Sequence, residues 1–382
     1  MKIMFLTRSM AVGGTQRQLS VLCRELLRRG HEVSVLLYYT GEPLDAELRE
    51  QGLRIVDLKK RGRWRNFSFL LRLIRTVRAA RPDIVYAHLP APNLLALLLR
   101  FLGGGCAIAC GVRASEMSGG GVDWLTRLTL RLERQLVLHA DVVIVNSHVG
   151  ARYLCAGRPH SNVVVIDNGI DTQTFVFDES GRRRMREAWC AAEGAPVVGC
   201  VARLDPMKDH ATLLRGFVLL RQSQPDARLI CVGTFAEPHR SELADLARQL
   251  RIDGAVRWLA REPQLSDLYS GLDVLCLSSA YGEGFPNVVA EAMACGVPCV
   301  ATDVGDAGRI LSCADFLVPP RDAESLARAL AGALAQGRTF SQLRTDRVRE
   351  QFSPRSLAER TELALNAALE RRNARVTCRS TT

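Results

Sequence analysis

Glu283 and Glu291 are separated by seven residues in an otherwise apolar, glycine-punctuated segment, YGEGFPNVVAEAMACGVP. Proline is well tolerated as a first helical residue, so Pro286 predicts a helix over 286–294. Glu283 would then precede the helix, and Glu291 would lie on its second turn, roughly 7–8 Å farther along the axis. Two carboxylates at that spacing could accept hydrogen bonds from the hydroxyl groups of a ligand.

The start of this helix would supply a further binding group between the carboxylates, because free backbone N–H groups there attract anions. The segment comprises Gly284, Phe285, Pro286, Asn287 and Val288. This arrangement could hold a molecule with a phosphate in the middle and a hydroxylated ring at each end. A sugar nucleotide has that shape. The alternatives are a helix-start charge at the first glutamate with a solvated second one, or the carboxylate pair of a glycosidase.

Two cations follow the predicted strand Val197–Ala202. Arg203 ends the strand, and Lys208 comes five residues later, just before a helix. Lysine occupies only four positions of the chain, so its use here favours a specific role for a compact ammonium group. At the carboxyl end of a strand, both cations could hold a diphosphate and stabilise charge on a leaving phosphate. The alternative is a surface pair that caps a loop.

A glycine pair, Gly13 and Gly14, follows the first predicted strand. Glycine lets the backbone approach a ligand closely, and a helix is predicted directly after the pair. The segment lacks the full G-x-G-x-x-G pattern, and no acidic residue ends the second strand. Both omissions disfavour a nicotinamide dinucleotide as ligand.

These residues are positioned by short apolar runs that alternate with helical patterns. The runs are continuous, which indicates parallel strands covered on both faces. A polar, basic connector interrupts the alternation, so we predict an α/β fold of two Rossmann-like, doubly wound domains facing across a cleft. The predicted boundaries are 1–170 for the first domain, 171–195 for the linker, 196–352 for the second domain, 353–372 for a C-terminal helix and 373–382 for a disordered tail.

The composition is that of a globular chain with excess positive charge. Its 382 residues, 47% of them hydrophobic, suffice for two cores, and a net charge of +11 favours an anionic partner. The twelve cysteines lack the spacing of a zinc site and are expected to be reduced core thiols. The longest apolar stretch is broken by Arg100 and three glycines, so no membrane span is predicted.

Taken together, the motifs resemble those of the retaining glycosyltransferases of family 4, which have the GT-B fold. The similarity covers nearly the whole chain. It is carried by the glycine pair, RRGHEV, PDIVYAH, VIVNS, VIDNGID, VARLDPMKD and VLCLSSAYGEGFPNVVAEAMACGVPCVATDVGD. The two glutamates with seven residues between them are the strongest element.

The resemblance implies roles for the candidate residues. Glu283 would contact the hydroxyls of the donor sugar, and Glu291 would bind the ribose of the nucleotide. Arg203 and Lys208 would bind the diphosphate, and the Gly13–Gly14 loop would close on the donor from the other domain. Transfer would retain the anomeric configuration by same-face attack, with the departing diphosphate taking the proton of the acceptor. No metal ion or other cofactor is expected.

The acceptor half matches the family less well, because many relatives carry a histidine where this chain reads CGVRASEMSGGG. Arg113 is therefore predicted to contact the donor phosphate or the acceptor, and Glu116 to orient the acceptor. His88 is predicted to lie at the active site, the alternative being a structural histidine. Farther along, TDVGDAGRIL places Asp306 and Arg309 where a glycine-rich turn and an acidic residue are commoner.

The positive charge is concentrated in two predicted helical regions. Residues 59–81 contain nine basic residues and no acidic one, and their helix spaces Arg72, Arg75 and Arg78 by threes. Residues 123–138 repeat the pattern. Basic amphipathic helices suit an anionic membrane surface, the alternative being a solvated basic face whose apolar side is core. No nucleic-acid partner is expected, because neither a stacking platform nor a known motif accompanies the charge.

We therefore predict a glycosyltransferase that moves a hexosyl or N-acetylhexosaminyl group from a nucleotide sugar, preferentially a UDP-sugar, to a glycan or lipid-linked acceptor. The process would be cell-surface polysaccharide biosynthesis, in the cytoplasm or peripherally on the inner membrane leaflet. The alternatives are a sugar-nucleotide epimerase, a sugar-phosphate synthase, or a non-catalytic relative that has kept the fold. The joint presence of two cations and two glutamates disfavours the last.

Overall fold

The computed structural model describes residues 1–11, 13–60, 62, 67–102, 105–113, 124–234, 237–260, 262, 264–311 and 316–380. The chain divides into two compact units. Unit 1 is formed by the described residues up to Gly169 together with those from Pro354 onward, and unit 2 by the described residues of Ile170–Ser353.

Unit 1 is built on a seven-stranded parallel sheet. Its strands are β1 (Lys2–Thr7), β2 (Glu32–Leu37), β3 (Arg54–Asp57), β4 (Ile84–His88), β5 (Ala107–Val112), β6 (Val142–Val145) and β7 (Val163–Val165). They are ordered β3-β2-β1-β4-β5-β6-β7. Every residue of β4, β5 and β6 is buried, which explains their continuous apolar sequences. The order reverses between β1 and β4, where open parallel sheets have their ligand crevice.

Unit 2 repeats this plan with six parallel strands. They are β8 (Val197–Val201), β9 (Arg228–Val232), β10 (Val256–Leu259), β11 (Val274–Leu277), β12 (Cys299–Thr302) and β13 (Leu317–Val318). Their order is β10-β9-β8-β11-β12-β13, which reverses between β8 and β11. The prediction of two Rossmann-like, doubly wound parallel sheets is confirmed. The short edge strand β13 is an addition to it.

Helices cover both sheets. They are α1 (Gly14–Arg28), α2 (Pro43–Glu50), α3 (Phe67–Ala80), α4 (Pro90–Phe101), α5 (Trp124–Leu136), α6 (His148–Leu154), α7 (Glu179–Ala188), α8 (His210–Ser223), α9 (His239–Gln249), α10 (Leu265–Gly271), α11 (Asn287–Ala294), α12 (Ala307–Leu311), α13 (Ala323–Gln336), α14 (Ser341–Gln351) and α15 (Pro354–Ser380). Among the described residues, no helix is both long and apolar enough to cross a membrane.

The segment predicted as a linker, 171–195, contains α7, which packs against α10 inside unit 2. Asp178 caps α7 by accepting hydrogen bonds from the N–H groups of Ser180 and Gly181. The Arg182 guanidinium donates to the Asp273 carboxylate over 2.7 Å. Charged contacts rather than an apolar stripe hold this helix, so its sequence lacks the hydrophobic periodicity that reveals other helices.

The last helix, α15, belongs to unit 1, where it packs against α1, β5 and β6. Its apolar residues enter the core of that unit, among them Leu357, Ala358, Leu365 and Ala368. The helix continues to Ser380, so residues 373–380 are helical rather than the disordered tail predicted from the sequence. Neither proline nor glycine occurs between 373 and 380 to end it.

Within the described residues, the chain passes from one unit to the other after Gly169 and after Ser353. Gly169 is held by the Gln18 side chain, which donates to its C=O and accepts from its N–H, both over 2.9 Å. A Cβ atom on Gly169 would lie 2.9 Å from the Cα of Pro354, so only glycine fits. Beyond the crossing, the Ile170 N–H donates to the Phe352 C=O over 2.7 Å.

We predict that Leu365→Ala lowers the free energy of unfolding by about 2–5 kcal/mol, because it leaves a cavity under α15. Leu365 is fully buried, whereas Leu363 on the same helix is exposed. Leu363→Ala is therefore the matched control and should change stability by less than about 0.5 kcal/mol. Denaturant unfolding measures the difference, and hydrogen exchange should locate it in the unit 1 sheet. Equal effects of the two variants would show that α15 is not part of that core.

Candidate functional site

The loop after β8 holds Lys208 in a fixed position. Asp205 caps a short 3-10 turn over 206–208 by accepting a hydrogen bond from the Met207 N–H over 3.0 Å. Asp209 follows in the left-handed region, with φ 45°, which is uncommon for non-glycine residues but is adopted by aspartate more often than by most. Its carboxylate accepts from the N–H and the hydroxyl of Thr212, at 3.2 and 2.6 Å. The backbone on both sides of Lys208 is thereby constrained.

The loop after β11 is bonded directly to the loop after β8. The Ser278 hydroxyl donates to the Lys208 C=O, and the Ala280 N–H donates to the Met207 C=O, both over 2.8 Å. The Thr302 hydroxyl, on β12, donates to the Ser279 C=O over 2.6 Å. Because β8 and β11 flank the point where the strand order reverses, these loops lie at the ligand crevice of unit 2.

A largely buried ion pair joins the two loops. The Lys208 Nζ atom lies 2.5 Å from Glu283 Oε1, and the Ser279 hydroxyl donates to the same oxygen over 2.5 Å. The two charged side chains are only 15% and 9% exposed. Each charge is thus removed from water and compensated mainly by the other. Two residues that are 75 positions apart in the sequence form one unit at this site.

The turn after β12 supports the backbone next to Glu283. The Asp306 N–H donates to the Gly284 C=O over 2.9 Å, and Asp306 pairs with Arg309 at 3.3 Å. Gly305 has φ +66°, and a Cβ atom there would lie 2.6 Å from the Glu283 C=O oxygen. The segment TDVGDAGRIL, which departs from the commoner family pattern, therefore still forms a turn that packs against the glutamate loop.

Helix α11 begins at Asn287, with Pro286 as its N-cap, one residue later than predicted. Glu291 is 2% exposed and accepts a hydrogen bond from the Tyr269 hydroxyl over 2.8 Å. The alternative interpretation, a glutamate on a solvated face, is therefore wrong. Phe285 turns its ring into the core, edge-on to Phe352 at 5.2 Å.

Arg203 differs from the other predicted donor residues because its side chain is 67% exposed. Its guanidinium lies 3.9 Å from the Asp205 carboxylate, too far for a strong hydrogen bond. The structure thus brings Lys208 and Glu283 together. It leaves the Arg203 side chain exposed to solvent just after the end of β8.

In unit 1, Gly13 is the N-cap of α1 and Gly14 is its first residue, so the helix begins within the glycine pair rather than directly after it as predicted. His88 ends β4 and is fully buried, with its ring 4.3 Å from that of Tyr86. Neither ring nitrogen forms a hydrogen bond with a described residue. Burial and, secondarily, the charge of Arg113 hold the pKa of His88 well below 6.5, so the ring is neutral. Its burial favours the structural alternative.

Arg113 follows β5 directly and donates to the Asn168 side-chain oxygen over 2.6 Å. Glu116 lies outside the described residues. The Asn168 contact is not predicted from the sequence, although the residue belongs to the VIDNGID motif. Sequence patterns alone do not show which of the motif's polar side chains meets an arginine 55 positions earlier.

A buried polar network beside Arg113 also escapes prediction. The Asn93 amide donates to the Gly111 C=O over 3.1 Å and to Glu133 Oε1 over 2.6 Å. Burial raises the pKa of Glu133 to about 7. Glu133 is the sole acid among the arginines of α5, and that isolation is the one signal in the sequence. Within the described chain, no group of three His, Cys, Asp or Glu side chains could hold a metal ion.

Two doubly wound units with candidate ligand residues where the strand order reverses define the GT-B class of fold. The chain belongs to glycosyltransferase family 4. Residues 12–174 match the family described as Glycosyltransferase Family 4, and residues 181–351 match the one described as Glycosyl transferases group 1.

The relatives include enzymes that act on different molecules. The D-inositol 3-phosphate glycosyltransferase of Kribbella flavida is 33% identical over 52% of this chain and 49% of its own length, so the match spans about half of that relative. The GDP-mannose-dependent alpha-(1-6)-phosphatidylinositol monomannoside mannosyltransferase of Mycolicibacterium smegmatis is 30% identical over 77% of this chain and 78% of its own.

Solved structures share the fold at lower identity. The crystal structure of Anabaena Alr3699/HepE in complex with UDP superposes with a TM-score of 0.82 at 21% identity. The superposition covers 96% of this chain and all of that one. This likeness establishes the two-unit architecture over nearly the whole sequence.

We predict that Lys208→Met lowers the free energy of unfolding by about 3 kcal/mol without ligand, because it leaves the Glu283 carboxylate buried without its counter-charge. Adding Glu283→Gln should recover most of that loss, since the buried charge is then removed as well. Thermal and denaturant unfolding measure both effects.

The matched control is Arg203→Met, which removes a solvent-exposed cation from the same loop and should change stability by less than about 0.5 kcal/mol. Additive losses in the Lys208→Met, Glu283→Gln double variant would contradict a coupled pair.

The raised pKa of Glu133 leads to a further prediction, which concerns how the stability of the protein depends on pH. Its pKa rises from the usual 4.5 to about 7 on folding, so the folded state keeps the proton to higher pH than the unfolded state. The stabilisation is full below about 4.5 and is lost as the pH rises to about 7. At pH 8, Glu133→Gln should therefore be more stable than the wild type by about 1–3 kcal/mol, with no difference near pH 4. The exposed Glu324→Gln should show no such divergence between the two pH values in the same unfolding experiments.

Proposed function

We propose that this chain is a retaining glycosyltransferase that moves a hexosyl or N-acetylhexosaminyl group from a nucleotide sugar, preferentially a UDP-sugar, to a glycan or lipid-linked acceptor in cell-surface polysaccharide biosynthesis. The observation that carries the proposal is the buried pair of Lys208 and Glu283 at the crevice of unit 2. It places a cation and a carboxylate, the groups that a diphosphate and a sugar respectively require, in direct contact.

Donor binding would redistribute the charges of this pair. The diphosphate brings new negative charge to the Lys208 ammonium and to the exposed Arg203 guanidinium, whose donors are not committed to a close carboxylate. The Glu283 carboxylate then accepts hydrogen bonds from sugar hydroxyls instead. Glu291 binds the ribose, and the N–H groups at the start of α11 face the phosphates.

Transfer would proceed on one face of the sugar. The bond between the anomeric carbon and the diphosphate oxygen breaks, the acceptor oxygen bonds to that carbon from the same side, and a diphosphate oxygen takes the acceptor proton. Lys208 and Arg203 stabilise the charge that grows on the leaving group. We propose that this step needs no metal ion or other cofactor.

The proposal also specifies the nucleotide base of the donor and the kind of acceptor. The Anabaena protein was also solved with UDP-glucose, whereas the mycobacterial relative is named for GDP-mannose and a phosphatidylinositol monomannoside. We propose UDP as the base, with GDP as the comparison. A lipid-linked acceptor would bring the enzyme from the cytoplasm to the inner membrane leaflet. We propose that Arg113 contacts the donor phosphate or the acceptor, that Glu116 orients the acceptor, and that the Gly13–Gly14 loop contacts the donor.

We predict that UDP and one UDP-sugar raise the unfolding temperature and that Arg203→Ala abolishes the shift. A ligand at 100 times its dissociation constant adds about 2.7 kcal/mol of stability, which a thermal-shift assay detects. The panel contains UDP, GDP, ADP and their sugar conjugates, with and without Mg²⁺. The protein without ligand should melt at the same temperature in both forms, because Arg203 is exposed.

The control variant is Arg328→Ala, which removes an exposed arginine of α13 and should leave the shift intact. Release of the bound nucleotide upon addition of acceptor then distinguishes transfer from epimerisation, which needs no acceptor, and from a synthase, which uses a soluble sugar phosphate. The absence of a shift with any nucleotide sugar would favour the non-catalytic alternative.

A further inference from the structure

Helix α5 exposes the apolar residues that an ordinary surface helix would bury. Trp124, Leu128, Leu132 and Leu136 are between 37% and 69% exposed. Residues four apart are neighbours on a helix surface, so these side chains form one continuous stripe, which winds by only about 40° at each step. The single buried residue of α5 is an acid, Glu133, on the opposite side. The helix is thus oriented with its apolar stripe toward solvent.

Arginines border this stripe. At about 100° per residue, Arg127, Arg131 and Arg134 fall together along one edge of it. All three are exposed, and the Arg134 guanidinium lies over the Tyr153 ring at 4.6 Å, which adds an aromatic residue to the same surface. The solvent face of α5 therefore combines large apolar side chains with positive charge and carries no acid.

Helix α3, the other basic helix, is different. Its residues Phe69, Leu73 and Val77 are buried in the core of unit 1. Two of its arginines serve the fold, since Arg72 donates to the Leu58 C=O over 2.7 Å and Arg78 donates to the Leu102 C=O. The buried apolar residues of α3 thus belong to the core of unit 1, as in the alternative interpretation of the basic helices. The inference made here therefore concerns α5.

Helix α5 begins at the same edge of the unit 1 sheet as Arg113, a residue proposed to contact the donor phosphate or the acceptor. In a parallel sheet, a connecting helix starts at the edge where the strands end. Trp124, the first residue of α5, therefore lies at the carboxyl edge of the unit 1 sheet, as does Arg113 at the end of β5. An acceptor held in a bilayer beneath α5 would be close to that edge.

We propose that the solvent face of α5 docks on an anionic lipid bilayer, with the tryptophan and the leucines in the interfacial layer and the arginines on lipid phosphates. A helix with this division lies in the plane of the interface. Docking through a second copy of the chain is disfavoured, because a two-fold interface buries the same surface of both copies and would gather six arginines with no acid on either α5 surface to pair with them. The inference rests on the proposed function, to which it adds the surface that brings the enzyme to a lipid-linked acceptor.

The test is co-sedimentation of the full chain with vesicles of phosphatidylcholine alone or with 30% phosphatidylglycerol. We expect binding to the anionic vesicles only, reduced about tenfold or more in Leu128→Gln, Leu132→Gln. Arg127→Gln, Arg131→Gln should weaken binding roughly tenfold and flatten its salt dependence. Both variants change exposed side chains and should melt like the wild type.

The matched controls are Leu363→Gln on α15 and Arg328→Gln on α13, which are exposed elsewhere and should bind vesicles normally. Absence of wild-type binding, or equal binding by all four variants, would overturn the inference. So would a concentration-dependent dimer that the leucine variant abolishes. The UDP-sugar thermal shift, measured on the same samples, separates the two proposals: an intact shift without vesicle binding rejects the docking surface alone, and a missing shift rejects the donor site.

Discussion

The candidate site of unit 2 depends on one constraint, the enclosure of opposite charges between two strand ends. The Lys208 ammonium and the Glu283 carboxylate neutralise each other where neither could remain alone. Hydrogen bonds from Ser278, Ser279 and Ala280 then fix the two loops around the pair. The parallel sheet makes this arrangement possible because the strand order reverses at the neighbouring strands β8 and β11, and open sheets leave space for a ligand outside the carboxyl ends of such strands. A ligand entering that space meets charges that are already positioned, which limits the reorganisation that binding requires.

In unit 1, buried polar side chains hold a helix in place rather than form a candidate ligand site. Asn93, on α4, connects β5 to Glu133, so buried hydrogen bonds help to hold the inner side of α5, which packs against α4. The apolar side chains of α5 are then available on the outside. This inversion distinguishes α5 from α3, although the two sequences show similar basic, amphipathic patterns. The same charge excess thus serves the fold in one helix and remains at the surface in the other.

Most strands could be predicted because buried parallel strands are continuous apolar runs, and the glutamate pair could be predicted because its spacing is distinctive. The features that could not be predicted share a physical cause. The contact of Lys208 with Glu283, and that of Arg113 with Asn168, joins residues far apart in sequence. Periodicity indicates which face of a helix is apolar, but it does not indicate where that face points. It also overlooks α7, which is held by charge, and β13, which has two residues.

The membership of α15 in unit 1 has a consequence for synthesis. The described residues of unit 2 all lie between Ile170 and Ser353, whereas unit 1 lacks the side chains of Leu357 and Leu365 until α15 is made. On the ribosome, the second unit can therefore be completed while the first still exposes the surface that α15 will cover. Domains generally fold in order from the amino terminus. Here the core of unit 1 is completed by a helix that is translated after unit 2.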